Sequence, residues 1–202
     1  RPPRSTLFPY TTLFRSGSFN PIHNGHLLIA EAAYQLLKLP VVIMPNKTTY
    51  YKENRVFVSD EDRLAMIRLA AEEKDYLYYS DMEIIRGGVT HTIDTIESFK
   101  EINPNRRVYF LIGGDSLEWV DKWVSADRLL KETIFLTVVR NEVDRTSSLE
   151  IISGIKKDHP SADIRLLDMK NTPISSSQIR ENVKNDISIK GMVPEKVEEY
   201  II

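Results

Sequence analysis

The segment "GSFNPIHNGH", Gly17 to His26, constrains this chain more than any other. A β-prone stretch leads into it and the helical pattern "LLIAEAAYQLLK" follows, so it reads as a strand-to-helix turn. Gly17 lets the backbone approach a ligand closely, Pro21 stiffens the turn, and Gly25 lets the helix start tightly against it. Asn24 is the expected N-cap. His23 and His26 then stand at a helix N-terminus, where free N–H groups favour an anion. A two-histidine zinc pair is the competing reading, but no third ligand is evident. Two imidazole donors at that place suit stabilisation of a phosphoryl transition state.

Further along, short apolar runs alternate with helical patterns, which points to an α/β fold with a mainly parallel sheet. "LPVVIMP", "YLYYSDMEI", "RRVYFLIGG", "TIFLTVVR" and "ADIRLLDM" read as strands. Ser59 and Asp62 form a capping box before "RLAMIRLAAEE". Thr92 is expected to cap "IDTIESFKEI". "SADRLLKE", "SLEIISGIKKD", "ISSSQIRENV" and "PEKVEEYI" read as the remaining helices, the last opened by Pro194. "NKTTYYKENRVFV" reads as a long loop. Nothing reads as a domain linker. Ligands of such folds bind beyond the carboxyl ends of the strands, where the unusual loops fall.

Composition works mostly by exclusion. A net charge of −2 over 202 residues gives no global basic field for nucleic acid or an anionic membrane. The absence of cysteine removes disulfides, thiolate catalysis and Cys-ligated zinc. No apolar run approaches the ~18–20 residues of a membrane span. Residues 1–16 stand apart, with Arg1, Arg4 and Arg15, three prolines and no acid. That is the composition of an organelle transit peptide, but "STLFPYTTLFRS" looks like a translated sequencing adapter. We expect a non-native or disordered head. Residues 11–15 are β-prone enough to serve as the first strand, provided that Arg15 avoids the core.

Four ordered segments carry a family resemblance. "GSFNPIHNGH" resembles the G-x-F-[DN]-P-x-H-x-G-H signature of the HxGH nucleotidyltransferases. "RGGVTHTIDT", "IGGDSLEWVDKW" and "ISSSQIR" resemble segments of the bacterial nicotinate mononucleotide adenylyltransferases, in family order and at family spacing. The resemblance covers residues 17–202 and implies one nucleotidyltransferase domain. Its fold would be a Rossmann-like parallel sheet with helices on both faces. The implied activity is adenylyl transfer from ATP to nicotinate mononucleotide, forming deamido-NAD and pyrophosphate. The resemblance also implies a cytoplasmic enzyme of NAD biosynthesis with Mg²⁺ carried on ATP and no protein metal cage. It leaves the oligomeric state open.

Site residues follow position by position. His23, His26, Lys52 and Arg180 are the expected catalytic groups. Gly17, Ser18, Phe19, Gly113, Gly114, Asp115, Ser176 and Ser177 are expected at the nucleotide. Thr92, Trp123 and Arg140 are expected to contact substrate. The residues allow plainer roles too: Thr92 as an N-cap, Trp123 as core, Gly113–Ser116 as a turn, the serines as caps, Arg140 as a surface ion pair. The chain departs from the family in three places. Val124 stands where many members have Tyr. "TYYK", Thr49 to Lys52, replaces P-P-H-K, so Tyr51 takes a histidine's place and can donate but brings no charge. Ser16 replaces a glycine. The competing readings are transfer to nicotinamide mononucleotide or to phosphopantetheine, a class I aminoacyl-tRNA synthetase fragment, and a non-catalytic nucleotide-binding protein. The synthetase reading lacks its lysine-rich loop.

Overall fold

Strand β1, Thr12–Gly17, lies at the centre of a six-stranded sheet ordered β3-β2-β1-β4-β5-β6. The computed structural model describes residues 11–47, 58–169 and 172–202. The other strands are β2 (Val41–Pro45), β3 (Leu77–Tyr79), β4 (Val108–Ile112), β5 (Thr133–Val139) and β6 (Asp163–Asp168), and every pairing is parallel. The chain steps outward from β1 to β3, then returns to the other side of β1 for β4 to β6. The direction of winding therefore reverses between β1 and β4. Their carboxyl ends splay apart there and open a crevice.

Helices cover both faces. They are α1 (Asn24–Leu37), α2 (Asp60–Glu72), α3 (Met82–Arg86), α4 (Thr92–Ile102), α5 (Gly114–Leu117), α6 (Ala126–Glu132), α7 (Glu142–Asp158), α8 (Ser176–Lys184) and α9 (Glu195–Ile201). Strand side chains alternate between two cores, as period-two geometry requires. Leu13, Val41, Ile43, Leu111 and Leu136 pack with α1, α2, α8 and α9. Phe14, Val42, Met44, Phe110 and Phe135 pack with α4, α6 and α7.

The sequence reading places a first strand at residues 11–15. Strand β1 starts at Thr12, runs through Gly17, and registers Leu13 with Val41 and Thr12 with Val108. Leu13 and Phe14 are fully buried, and Phe14 meets the Phe99 ring edge-on at 4.9 Å. Arg15 escapes the core because the strand end faces a cavity.

Several boundaries differ from the sequence reading, each for a local reason. "YLYYSDMEI" is a strand only to Tyr79, because the Ser80 hydroxyl accepts from the Met82 N–H at 3.2 Å and opens helix α3. Helix α7 begins at Glu142 rather than at Ser148, because Asn141 caps it by accepting from the Asp144 N–H at 2.9 Å. His23 and not Asn24 is the N-cap of α1, and His91 and not Thr92 that of α4. Ser59 caps α2 as expected. The long loop expected over "NKTTYYKENRVFV" lies largely outside the described residues.

A working central strand must lose stability when its largest buried ring is removed. Phe14→Ala should cost about 3–5 kcal/mol in urea denaturation. A loss under about 1 kcal/mol, below any usual cavity cost, would show that residues 12–17 are not integral to the sheet.

Candidate active site

A cavity of about 470 Å³ occupies the crevice between the carboxyl ends of β1 and β4. Arg15, Gly17 and Ser18 line one side, Ile112 and Gly113 the floor, and His91, Thr92 and Trp123 the other side. Thr92 is the first residue of α4, so it brings a hydroxyl and the start of a helix to the wall. Trp123 follows a 3-10 turn at Val120–Lys122, and its ring packs edge-on to Phe135 at 6.1 Å. It is thus partly core and partly wall. Val124 is exposed beside it and also lines the cavity.

The two histidines sit where β1 turns into α1. Their rings stack at 3.6 Å and 21°, and Phe19 meets His26 edge-on at 5.0 Å. A Cβ on Gly25 would lie 3.0 Å from the His23 Nδ1, so the absence of a side chain there admits the ring. The His23 N–H donates to the His26 Nδ1 at 3.3 Å. That bond assigns the His26 proton to Nε2 in the neutral ring. Burial, and after it the nearby Arg15 charge, pushes His23 down to about 4. Burial, Arg15 and His23 together hold His26 well below its ordinary value. Both imidazoles are therefore neutral donors at neutral pH, and the positive charge at this spot is Arg15. Its guanidinium donates to the His26 carbonyl at 3.4 Å and borders the cavity, and desolvation lowers it to about 10.

Helix α8 reaches the same turn from the other side. Ser175 caps it by accepting from the Gln178 N–H at 3.2 Å. The Ser176 hydroxyl donates to the Pro21 carbonyl at 2.9 Å. Arg180 donates through Nη1 to the Asn20 carbonyl at 2.7 Å and through Nη2 to the Ser177 hydroxyl at 3.1 Å. Ser176 and Arg180 thus brace the turn rather than line the cavity with Thr92 and Trp123. Asn24 is likewise a brace, its N–H on the Met192 carbonyl at 2.8 Å and its amide on the Gly191 carbonyl at 2.9 Å.

Beyond β4 the expected residues divide. Gly113 lines the main cavity, whereas Gly114, Asp115 and Arg140 line a neighbouring hollow of about 450 Å³ beneath α7. A Cβ on Gly113 would sit 2.5 Å from an Asp115 carboxylate oxygen, so the folded-back carboxylate depends on that glycine. Arg140 is exposed, with its N–H on the Asp144 carboxylate at 3.2 Å. Lys52 and Tyr51 lie outside the described residues. Among the described residues no cluster of three His, Cys, Asp or Glu could hold a metal.

The sequence reading missed several groups. Arg15, Asn46, His91 and Lys122 line the cavity. Arg63 and Glu83 are buried charges next to it. Glu83 accepts from Ser16 at 2.6 Å and from Thr95 at 2.7 Å, and Arg86 donates to the same Thr95 hydroxyl at 3.0 Å. This chain of bonds joins the end of β1 to the first turns of α4. Burial raises the Glu83 carboxyl, with the two hydroxyl bonds acting against that rise. Arg63 is legible in hindsight: it stands in the apolar stripe Met66, Ile67, Ala70, Ala71 of α2, where a charge needs partners.

The comparisons agree with this geometry. A cytidylyltransferase-like family model matches residues 14–182. A Lachnoclostridium phytofermentans protein named "Probable nicotinate-nucleotide adenylyltransferase" is 36% identical over 92% of this chain and 93% of its own length. A Bacillus cytotoxicus protein of the same name is 34% identical over 92% of each. The Plasmodium falciparum nicotinic acid mononucleotide adenylyltransferase complexed with NaAD matches the fold with a TM-score of 0.73. It is 19% identical and covers 95% of this chain and 94% of that one.

Depressed histidines make stability depend on pH with a definite sign. The unfolded chain binds their protons near pH 6.5, while native His23 resists until about pH 4. Stability should therefore be complete above about pH 6.5 and fall as the pH drops toward about 4. Arg15→Leu removes one cause of the depression and should make that fall shallower in urea denaturation. An unchanged slope would remove Arg15 from the account.

A strand-to-helix turn with paired histidines, at the winding reversal of a parallel sheet, and relatives matched over nearly their whole length have one explanation: the chain belongs to the nicotinate-nucleotide adenylyltransferase family of cytidylyltransferase-like proteins.

Proposed function

We propose that this protein transfers the adenylyl group of ATP to nicotinate mononucleotide, giving deamido-NAD and pyrophosphate. The observation that carries the reading is one cavity with Arg15, Gly17 and Ser18, the residues that lead into the histidine turn, at one side and Thr92 and Trp123 at the other. That arrangement suits a phosphate-to-phosphate reaction with a pyridine ring held at a distance. It fits a biosynthetic enzyme of the cytoplasm, and among the described residues no helix is long and apolar enough to cross a membrane.

In this reading an oxygen of the 5′-phosphate attacks the α-phosphorus in line. The new bond is phosphate oxygen to α-phosphorus, and the bond that breaks joins the α-phosphorus to the bridging oxygen of pyrophosphate. The acceptor oxygen is already anionic, so no general base is needed. Catalysis rests on positioning and on donors aimed at developing charge. The His26 Nε2–H donates to an α-phosphoryl oxygen, with His23 stacked behind it. Gly17, Ser18 and Phe19 follow the triphosphate. Lys52 would hold the departing pyrophosphate together with Ser177, whose hydroxyl Arg180 orients through Nη2, and Gly114, Asp115 and Arg140 would meet the adenosine. Thr92 and the start of α4 take the nicotinate carboxylate, and Trp123 stacks on the ring. Mg²⁺ belongs to the MgATP substrate and neutralises phosphate charge. It would be carried by phosphate oxygens and water rather than by a protein cage.

A coupled pyrophosphate-release assay tests this directly. Turnover should be highest with nicotinate mononucleotide, lower with nicotinamide mononucleotide and absent with phosphopantetheine. ATP binding without pyrophosphate release from any acceptor would favour a non-catalytic nucleotide-binding protein. His26→Ala should lower kcat by about 10²–10³, the usual cost of one transition-state donor. Near-full turnover in that variant would remove His26 from the chemistry.

A further inference from the structure

Four of the five carbonyl groups from Gly17 to Pro21 accept hydrogen bonds from outside the turn. The Gly17 carbonyl accepts from the Asn46 N–H at 2.9 Å, and those of Asn20 and Pro21 from Arg180 and Ser176. The Ser18 carbonyl accepts from the Arg63 Nη1 at 2.7 Å. Carbonyl lone pairs pointing at a phosphate repel it, so a turn with its carbonyls pulled onto donors elsewhere is preset for an anion.

Arg63 does more than the other braces. Its side chain is 2% exposed, the largest fully buried side chain among the described residues. Its Nη2 donates to the Asn46 carbonyl at 2.7 Å and to the Asp60 carboxylate. Asp60 also pairs with Lys47. Burial pushes the Asp60 carboxyl up, but hydrogen bonds from Lys47 and Arg63 outweigh it and hold the group below its usual range. One guanidinium thus joins the turn after β1, the end of β2 and the start of α2.

We propose that Arg63 is a positioning residue that sets the affinity of this site for the ATP triphosphate. It touches no substrate. It fixes the Ser18 carbonyl and the ends of β1 and β2 as one unit, so the turn pays little ordering cost when ATP arrives. Burying a guanidinium is expensive, and an apolar residue fills such a space at lower cost. What an apolar residue cannot supply is a rigid fork of donors aimed at two backbone carbonyls and a carboxylate. The proposal rests on the adenylyl-transfer reading for its ligand.

The test compares Arg63→Met, Arg63→Lys and Ile67→Ala. The last truncates a buried neighbour on α2 and controls for stability alone. Each is read by steady-state KM for both substrates, by melting temperature, and by calorimetric titration with a non-hydrolysable ATP analogue and Mg²⁺. Arg63→Met should raise the ATP KM and the analogue Kd about tenfold, the scale of one charged hydrogen bond. The KM for nicotinate mononucleotide should stay within about twofold, since uniform loss is not expected at the distant wall. Arg63→Lys keeps one donor direction and should recover about half of the loss on a logarithmic scale. Ile67→Ala should lower the melting temperature and leave the analogue Kd unchanged. Should Arg63→Met fail to fold, Arg63→Lys alone must still weaken the analogue more than Ile67→Ala does. Parent-like analogue binding by the Arg63 variants, or equal weakening in Ile67→Ala, overturns the proposal. The titration needs no acceptor, so failure of the parent to use nicotinate mononucleotide rejects the proposed reaction and leaves the Arg63 result standing.

Discussion

The interaction on which the rest of the site depends is the capture of the turn's carbonyls by side chains from α2 and α8. Ser18, Asn20 and Pro21 each give their oxygen to Arg63, Arg180 or Ser176. A polar loop at the mouth of a crevice would otherwise trade its bonds with water and sample many shapes. Bracing it from two helices on one face of the sheet makes its shape a property of the fold. The stacked histidines, the start of α1 and the backbone at Gly17 inherit that fixed position.

Electrostatics at the turn then follow from burial. His23 and His26 are kept neutral by desolvation and by the Arg15 charge, and the backbone bond to His26 Nδ1 leaves the proton on Nε2. A neutral donor costs less to bury than an imidazolium, and it still supplies a hydrogen bond to an anionic oxygen. The positive charge beside the histidines is the Arg15 guanidinium, which borders the cavity and whose protonation does not fluctuate near neutral pH. At the far wall, Glu83 ties Ser16 to Thr95 and so links the end of β1 to α4.

The alternation of apolar runs and helical patterns was enough for a mainly parallel α/β sheet and its strands, though not for their order, because a buried parallel sheet writes itself as continuous apolar stretches such as "TIFLTVV". The histidine turn, Thr92 and Trp123 were also readable, since rare residue types at fixed spacing carry them. Arg63 showed in the sequence only as a charge within an apolar stripe; its role depends on Ser18 and Asn46, residues distant in sequence. Arg180 and Ser176 were read as phosphate ligands, and the sequence could not show their donors reaching back to Asn20 and Pro21. Asn24 and Thr92 missed as caps by one residue, since His23 and His91 hold the extended cap geometry instead. "TTLF" suggested a strand over residues 11–15 only; its continuation to Gly17 was not legible, and Arg15 fits there because the strand end opens into the cavity.

The central claim is that the His26 Nε2–H is a neutral donor aimed at the nucleotide phosphate. Long-range ¹H–¹⁵N correlation spectra of the histidine rings at neutral pH test it most directly, with and without a non-hydrolysable ATP analogue. The account predicts a neutral Nε2–H ring for His26 before ligand is added, and a shift of that Nε2–H signal when the analogue binds. A His26 ring protonated on Nδ1, or one whose signals ignore the bound analogue, would contradict it.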